Sequence, residues 1–283
     1  MVGPARRAGA LNDGHNHPVL KQRVIDYLER DGVVHSLDMY TEAKHRLLTV
    51  LYETILGPRG LGHLKVAFPA PTGTNAVEMA LKVARRAAAV AGIASEHGAA
   101  LIVDDVQAGC GRTGSFFSFE RAGIAPDMIC LSKSLSGLGL PLSVLLLHPR
   151  LDVLRPGEHS GTFRGHDLAF VSAAAALELW DDDEFAKSAR RTGDLLGAGL
   201  RELIASSAGA GAQLRGRGAM LGIGWQDPAI ASRVSAAAFR HGLIAETCGS
   251  VDEVLKLYPP LTITESELAA GLDRLAAAIL EAC

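Results

Sequence analysis

The sequence has little of what marks several functional classes. Its four cysteines form no Cys-x-x-Cys pair, which argues against a disulfide framework and favours reduced thiols in a cytoplasmic protein. Aromatic residues make up 5% and the formal net charge is -3, so no nucleic-acid surface is expected. The longest apolar runs, at 87–94 and 140–147, are too short to cross a membrane, and no apolar stretch follows the first arginines as in a signal peptide.

Hydrophobic residues make up 48% of the 283 residues and charged residues 21%, which is enough for one large domain or two smaller ones. The pattern predicts amphipathic helices at 19–30 and 41–56, with Pro18 in the first turn and Thr41 as a cap. A third helix is predicted at 74–87, where apolar residues recur at helical spacing.

Three short apolar runs, at 99–103, 128–131 and 143–147, predict strands that are covered on both faces of a sheet. A fourth, shorter strand is predicted at 65–68. The chain is then mostly helical from 168 to about 207, and a glycine-rich strand with turns follows at 216–224. Helices are predicted near 229–241 and 265–281, so the last third is of the α+β type.

Two of the predicted strands deliver a polar side chain at their carboxyl ends, namely Asp104 and Lys133. Ligands bind at this edge of an open α/β sheet. A partly desolvated lysine favours the free amine that bonds to a carbonyl carbon. An aspartate at the neighbouring strand end could keep a pyridine nitrogen protonated, and Gln107 could donate to a ring oxygen.

Other interpretations of these residues remain open at this point. The Gly-Thr-Asn turn at 73–75 could hold a phosphate at a helix N-terminus or could be ordinary capping, and it lacks the Gly-Lys-Ser/Thr ending of a nucleotide loop. The Asp104-Asp105 pair could cap the next turn, and a single lysine such as Lys133 is usually a surface residue. A metal site formed by Asp104-Asp105 with His15 and His17 is the least favoured alternative, so no metal is predicted.

Four segments, taken in order, resemble the signature segments of the class III pyridoxal-phosphate-dependent aminotransferases. They are LIVDDVQAGCGRTG (101–114), CLSKSL (130–135), SGTFRG (160–165) and LKLYPPL (255–261). The resemblance extends from about residue 8 to the end of the chain. It implies an α/β, fold-type-I PLP-dependent transferase with pyridoxal 5'-phosphate (PLP) as cofactor.

The resemblance also implies roles for individual residues. Lys133 would bond covalently to the cofactor and move the proton of the substrate α-carbon. Asp104 would pair with the pyridine nitrogen, and Gln107 would contact the ring oxygen. Gly73 and Thr74 would bind the phosphate within the subunit.

Two further roles concern the partner subunit and the substrate. Thr162 would reach the cofactor phosphate of a partner subunit, which implies a homodimer or a higher homo-oligomer. Lys256 would bind the carboxylate of the amino acid or 2-oxo acid substrates, at a position where many members carry an arginine.

Four stretches resemble one subfamily in particular, which transfers the amino group of glutamate to aspartate 4-semialdehyde in ectoine biosynthesis. They are GALNDGHNHP (9–18), GTNAVEMALKVARR (73–86), SFFSFERAGIAPD (115–127) and RPGEHSGTFRG (155–165). The product of that reaction is 2,4-diaminobutyrate. This subfamily also resembles the present chain in the lysine at position 256.

The sequence departs from the family in two places. It begins inside the family's N-terminal segment, and the helix ending at 84–86 runs almost directly into 95–105. The block that lies between them in the family carries the aromatic residue stacked on the cofactor and a glutamate-containing strand. An alternative function is therefore a catalytically impaired remnant or a non-catalytic partner subunit of the same fold.

The family's strand order shows which part of the sheet is missing. The runs 65–68, 143–147, 128–131 and 99–103 are neighbours in that order, with 143–147 antiparallel. We therefore expect a reduced central sheet in which 99–103 forms an exposed edge and the cofactor pocket is open on one side. The expected division is an N-terminal segment (1–60), a reduced PLP-binding large domain (61–165) and a small α+β domain (166–283).

Overall fold

Two four-stranded sheets organise the chain, and each is packed against helices. The computed structural model describes residues 9–84, 100–205 and 211–283 in full and 85–90 by their backbone. The alanine-rich composition of 88–97 also predicts a helical stretch, and most of it lies outside the described residues, as does the start of the strand predicted at 99–103.

The first sheet has the strand order β1-β4-β3-β2. Its strands are β1 (Lys65–Ala67), β2 (Ile102–Asp104), β3 (Met128–Leu131) and β4 (Val144–Leu147). Strand β4 is antiparallel to both neighbours, and β2 is parallel to β3. This confirms the predicted order. Within the described residues β2 pairs with β3 alone and forms one edge.

Four helices accompany this sheet. They are α1 (Pro18–Glu29), α2 (Glu42–Val50), α3 (Gly73–Val90) and α4 (Asp167–Glu178). The Thr41 hydroxyl accepts a hydrogen bond from the Lys44 backbone N–H at 3.3 Å, as a cap should. The helix predicted at 41–56 is confirmed, except that its second part, Leu51–Leu56, winds as a π-helix rather than as an α-helix. Packing explains the difference, since this segment buries three apolar side chains in the core just before a Gly-Pro pair.

The second sheet is wholly antiparallel, in the order β5-β6-β8-β7. Its strands are β5 (Gln213–Arg217), β6 (Met220–Gly224), β7 (Glu246–Cys248) and β8 (Val254–Leu257). Its helices are α5 (Asp183–Ala205), α6 (Pro228–Arg240) and α7 (Glu265–Ala282). The predicted glycine-rich strand is a hairpin of β5 and β6, and β7 was not predicted. A capping box of Thr264 and Glu267 begins α7.

Short 3-10 segments complete the secondary structure. They are Gly57–Arg59, Glu120–Ala122, Lys133–Ser136 and Pro149–Leu151. Among the helices that the structure describes, none combines the length and apolarity needed to cross a bilayer.

Candidate active site

The carboxyl ends of β2 and β3 bring two charged side chains to the same edge of the first sheet. Asp104 is the last residue of β2, and Lys133 follows β3 after one serine. Because β2 and β3 are parallel and paired, their ends lie side by side. Lys133 has a φ of 49°, a left-handed conformation that a non-glycine residue adopts only where its surroundings impose it.

The pKa of Lys133 lies below its usual value. Burial of the half-exposed side chain is the main cause, the positive charge of Lys256 adds to it, and Asp104 opposes it. Asp104 of β2 and Lys256 of β8 therefore both lie within electrostatic range of Lys133, which follows β3. A lowered pKa favours the neutral amine, which is the nucleophilic form.

The two acidic residues after β2 have different environments. Asp104 is exposed, and its Oδ1 accepts a hydrogen bond from the Val106 N–H at 3.1 Å. Asp105 is buried, and its Oδ2 accepts from the Ser118 N–H at 2.9 Å. Burial raises the pKa of Asp105. Asp104 thus caps the turn and is still accessible to a ligand at the sheet edge, whereas the buried Asp105 binds a backbone group in the interior.

The start of α3 lies against both strand ends. A Cβ atom added at Gly73 would lie 2.6 Å from Val106 Cγ1 and 3.4 Å from Ser132 Cβ. Only glycine fits such an approach without movement of its neighbours. The first turn of the helix is therefore held next to the residues that flank Asp104 and Lys133.

The first turn of α3 also has backbone donors to spare. The N–H groups of Asn75 and Ala76 donate to the Thr72 carbonyl at 3.0 and 3.3 Å. Those of Gly73 and Thr74 donate to no acceptor in the part of the chain that the structure describes. Two unused donors at the N-terminus of an 18-residue helix fit a phosphate group.

The N-terminal segment forms another side of the site. A Cβ atom at Gly9 would lie 3.1 Å from Gln107 Cγ and 3.6 Å from Tyr258 Cδ2. The Gly9 carbonyl accepts a hydrogen bond from the hydroxyl of Ser134, the residue after Lys133. Gln107 thus lies near the turn that carries Lys133, because both Gln107 and Ser134 lie next to Gly9 at the start of the described chain.

Lys256 lies on β8, an inner strand of the second sheet that is paired with β6 and β7. Its side chain is 16% exposed, and its Nζ lies 2.9 Å from Glu246 Oε2 on the paired strand β7. The same Nζ is 5.3 Å from the centre of the Tyr258 ring. A cation in this place is suited to bind a carboxylate.

Thr162 lies apart from this group. Its side chain is exposed, its carbonyl accepts from His35 Nε2 at 2.7 Å, and its segment passes next to residues 69–70 before α3. Among the described residues no hydrogen bond or ion pair joins Thr162 to Asp104, Lys133 or Lys256.

The proposed metal alternative is not assembled. Within the described ranges no group of three or more histidine, cysteine, aspartate or glutamate side chains is placed to hold a metal ion. His15 lies exposed, with its ring nitrogen 3.4 Å from Asn16 Nδ2. His17 directly precedes α1 as part of a turn.

Arg112 is a structural residue whose role the sequence did not reveal. It is 1% exposed, and its guanidinium donates to the carbonyls of Pro259 (2.5 Å) and Ala219 (3.3 Å) and to Asn12 Oδ1 (2.5 Å). Asn12 in turn donates to the Cys110 carbonyl at 2.7 Å. The GRTG motif singles out Arg112 in the sequence, but it does not reveal the residues that Arg112 binds. Its three hydrogen-bond partners lie about a hundred residues or more away in sequence.

Taken together, these features fit a phosphorylated aldehyde with a basic ring nitrogen. The neutral amine can bond to the aldehyde, the helix N-terminus can hold the phosphate, and the carboxylate can face the ring nitrogen. The site and the two-sheet fold thus define the class of pyridoxal-phosphate-dependent transferases.

Comparison with known proteins narrows this class to a family. Residues 87–279 match the class III aminotransferases. A diaminobutyrate–2-oxoglutarate transaminase of Nocardia farcinica is 40% identical over 372 residues, covering 98% of this chain and 85% of the relative. The chain therefore belongs to the class III aminotransferases, which are PLP-dependent enzymes.

Solved structures agree with the fold. The acetylornithine aminotransferase from Elizabethkingia anophelis has a TM-score of 0.80 and 24% identity, covering 97% of this chain and 87% of that chain. An ornithine aminotransferase from Toxoplasma gondii, described with partial occupancy of PLP at its active site, has a TM-score of 0.81 and 21% identity, covering 97% and 85%. At these identities the likeness shows the fold alone.

The length of the alignment also bears on the missing block. The alignment with the Nocardia farcinica relative extends over 372 residues, whereas the present chain has 283. The relative therefore contains residues that have no counterpart here. In the structure α3 ends at Val90 and β2 begins at Ile102, and this is the place where the sequence analysis predicts that a block of the family is absent.

Proposed function

We propose that this chain is a transaminase that moves the amino group of glutamate to aspartate 4-semialdehyde, giving 2,4-diaminobutyrate and 2-oxoglutarate. The observation that carries the proposal is that Asp104 and Lys133 lie at one edge of the first sheet, with Lys256 of the second sheet close enough to lower the pKa of Lys133. The named substrates are supported by relatives that bear the name diaminobutyrate–2-oxoglutarate transaminase.

Each residue at the sheet edge has a part in this proposal. PLP, when bound, supplies an electron sink for the bonds at the substrate α-carbon. Lys133 Nζ would hold the cofactor covalently and would move the proton of the substrate α-carbon. Asp104 would keep the ring nitrogen protonated and Gln107 would contact the ring oxygen, while the N–H groups of Gly73 and Thr74 would hold the phosphate.

Lys256 orients the substrate in this proposal. Its ammonium binds a substrate carboxylate, and Glu246 balances its charge when no substrate is present. A lysine supplies a point charge rather than the two-pronged donor of an arginine. The orientation of the substrate therefore depends on which other groups hold the Lys256 ammonium in place.

We further propose a cytoplasmic homodimer in which Thr162 contacts the phosphate at the partner's site. Thr162 is exposed beside a set of apolar side chains that are unusually open to solvent. They are Met39 at 58%, Tyr40 at 67% and Phe163 at 63% exposure. Exposed apolar patches mark interaction surfaces. In this arrangement residues 61–165 bind the cofactor, 166–283 form the small domain and 1–60 contribute to the interface.

A second candidate is a catalytically impaired remnant or a non-catalytic partner subunit. The missing block supports it, because the block carries the aromatic residue that stacks on the cofactor in the family. Loss of such stacking costs on the order of 1 kcal/mol of cofactor binding. Co-purification with a full-length transaminase would favour the partner role.

Visible absorbance of the purified protein mixed with PLP tests the proposal, with Lys133→Ala as the control. We expect a yellow band that borohydride removes and that the Lys133→Ala variant lacks. Formation of diaminobutyrate from glutamate and aspartate 4-semialdehyde should follow. A protein without a Lys133-dependent band would instead support the remnant or partner-subunit role.

A further inference from the structure

The ring of Tyr258 contacts two cations at the border of the site. Lys256 Nζ lies 5.3 Å from the ring centre, and the central carbon of the Arg112 guanidinium lies 5.5 Å from it. Lys256 and Tyr258 are two residues apart on an extended segment, so their side chains point to the same face. Both distances are within the range in which an aromatic ring attracts a cation.

The ring is held in place from several directions. Arg112 is fixed by its three hydrogen bonds to Asn12, Ala219 and Pro259. On another side, Gly9 passes so close that an added Cβ atom would lie 3.6 Å from Tyr258 Cδ2. Two prolines follow the tyrosine and restrict the backbone. Tyr258 is therefore a fixed feature against which a flexible lysine can be placed.

Lys256 needs such a support because its other partner competes with the substrate. Glu246 is a carboxylate at 2.9 Å from Lys256 Nζ, so a substrate carboxylate must share the ammonium with it or replace it. A lysine that loses its ion pair has four rotatable bonds with which to leave the site. An aromatic ring attracts the ammonium without presenting a negative charge to the incoming substrate.

The phenol of Tyr258 remains neutral under working conditions. Burial is the main cause that raises the pKa of Tyr258 to about 12, the nearby Cys248 adds to it, and Arg112 opposes it. The ring therefore adds no repulsion toward a carboxylate at neutral pH.

We propose that Tyr258 is a positioning residue that keeps the ammonium of Lys256 directed toward the substrate carboxylate, and that Arg112 fixes the ring for this purpose. This inference deepens the proposed function and rests on the role given there to Lys256. It makes Tyr258 a determinant of affinity for dicarboxylic substrates, separate from cofactor binding and from the bond-making steps.

Glutarate, a dicarboxylate that lacks the reacting amine, is the probe for this inference. Its dissociation constant is measured by calorimetry on the PLP-loaded full chain and on three variants. We expect Tyr258→Leu to weaken glutarate binding about fivefold and Tyr258→Phe, which keeps the ring, to stay within about twofold of the parent. Lys256→Met should weaken binding by about tenfold or more.

Steady-state kinetics give a second readout. The KM for glutamate should rise in Tyr258→Leu while kcat and the absorbance of the bound cofactor stay close to those of the parent. Tyr258→Met has a similar volume to the leucine variant and replaces it if that variant does not fold.

The outcomes separate this inference from the proposed function. Unchanged glutarate binding in Tyr258→Leu, with weakened binding in Lys256→Met, overturns the role of Tyr258 alone. Equal losses in the phenylalanine and leucine variants also overturn it, because the hydroxyl rather than the ring would then be responsible. Unchanged binding in Lys256→Met, or no glutarate binding by the parent, overturns the assignment of Lys256 and this inference with it.

Discussion

The charge state of Lys133 depends on its burial and on two charged neighbours with opposite effects. Burial is the main cause that lowers the pKa of Lys133, the positive charge of Lys256 lowers it further, and the negative charge of Asp104 raises it. Because the neutral amine is the form that bonds to the cofactor, covalent capture of PLP should increase as pH rises through the pKa of Lys133. The sheet edge thus sets the pH range of the first chemical step.

Removal of each neighbour should move this pH dependence in a known direction. Lys256→Met removes a repelling charge, so the pKa of Lys133 rises and capture requires a higher pH. Asp104→Asn removes an attracting charge, so the pKa falls further and capture begins at a lower pH. The measurement is the rate at which the borohydride-sensitive band forms across a pH series.

A lysine elsewhere serves as the control for these variants. Lys65 on β1 has an exposed side chain that pairs with Asp152, so Lys65→Met should leave the pH series unchanged. A shift of Lys256→Met and Asp104→Asn in the same direction would contradict the electrostatic explanation.

At the scale of single residues, the sequence predicted the location of some side chains and missed that of others. The difference is whether the location follows from neighbours in sequence or from contacts between distant parts of the chain. Asp104 ends one apolar strand and Lys133 follows another after one serine, so their neighbours in sequence already imply their place at a sheet edge. Asn12 and Arg112 meet only because the chain folds back over a hundred positions. No local pattern contains that contact, and the same holds for the Tyr258 ring beside Arg112.

At the scale of elements, the approach of α3 to the strand ends is the feature that builds the phosphate site. Because Gly73 has no side chain, the helix can begin close to Val106. A Cβ atom added at Gly73 would lie only 2.6 Å from Val106 Cγ1. We expect Gly73→Ala to push the first turn away from Val106 and to weaken PLP binding about tenfold, through partial loss of charge-assisted hydrogen bonds.

A compensating variant tests whether contact is the cause. Val106→Ala removes the methyl groups that the new Cβ would meet, so the double variant Gly73→Ala/Val106→Ala should recover most of the PLP affinity. The measurement is a titration with PLP followed by absorbance, beside a thermal melt for each variant. Equal losses in the single and double variants would argue against this steric explanation.

The strands show where pattern reasoning works and where it does not. Strands β3 and β4 are wholly buried runs of four apolar residues, so continuous hydrophobicity predicted them well. Strand β7 has only three residues, including Glu246 and Thr247, and carries no such pattern. Its pairing with β8 makes it a strand, and that pairing is also what brings Glu246 to Lys256.

At the scale of the whole molecule, β2 forms an edge of the first sheet that is open to pairing with another chain. Strand β2 has one partner among the described residues, and Leu101 before it is 44% exposed. Since Asp104 ends this strand, the edge adjoins the proposed cofactor site. An edge strand with open backbone groups invites pairing with another chain unless something covers it.

A second exposed feature is the apolar surface around Phe163, formed by Met39, Tyr40 and Phe163, and a mixing experiment tests whether it joins two copies. If each Thr162 contacts the phosphate at the partner's site, a dimer of one Lys133→Ala chain and one Thr162→Ala chain has one complete site. In that site Lys133 comes from the Thr162→Ala chain and Thr162 comes from the Lys133→Ala chain. Each variant alone lacks either the covalent link or part of the phosphate contact. Co-expression of the two should therefore restore borohydride-trapped PLP at the parental affinity in the mixed dimers.

The same interface predicts the effect of one surface substitution. Phe163→Ser should weaken dimer formation, as measured by sedimentation, and should abolish the restoration in the mixing experiment, because Phe163 is 63% exposed next to Thr162. Phe239→Ser is the matched control, since Phe239 is 68% exposed on α6, outside the apolar surface around Phe163. If the mixture binds PLP no better than the Thr162→Ala protein alone, while both proteins remain dimeric, Thr162 acts within its own subunit. In that case the phosphate site is completed by one chain.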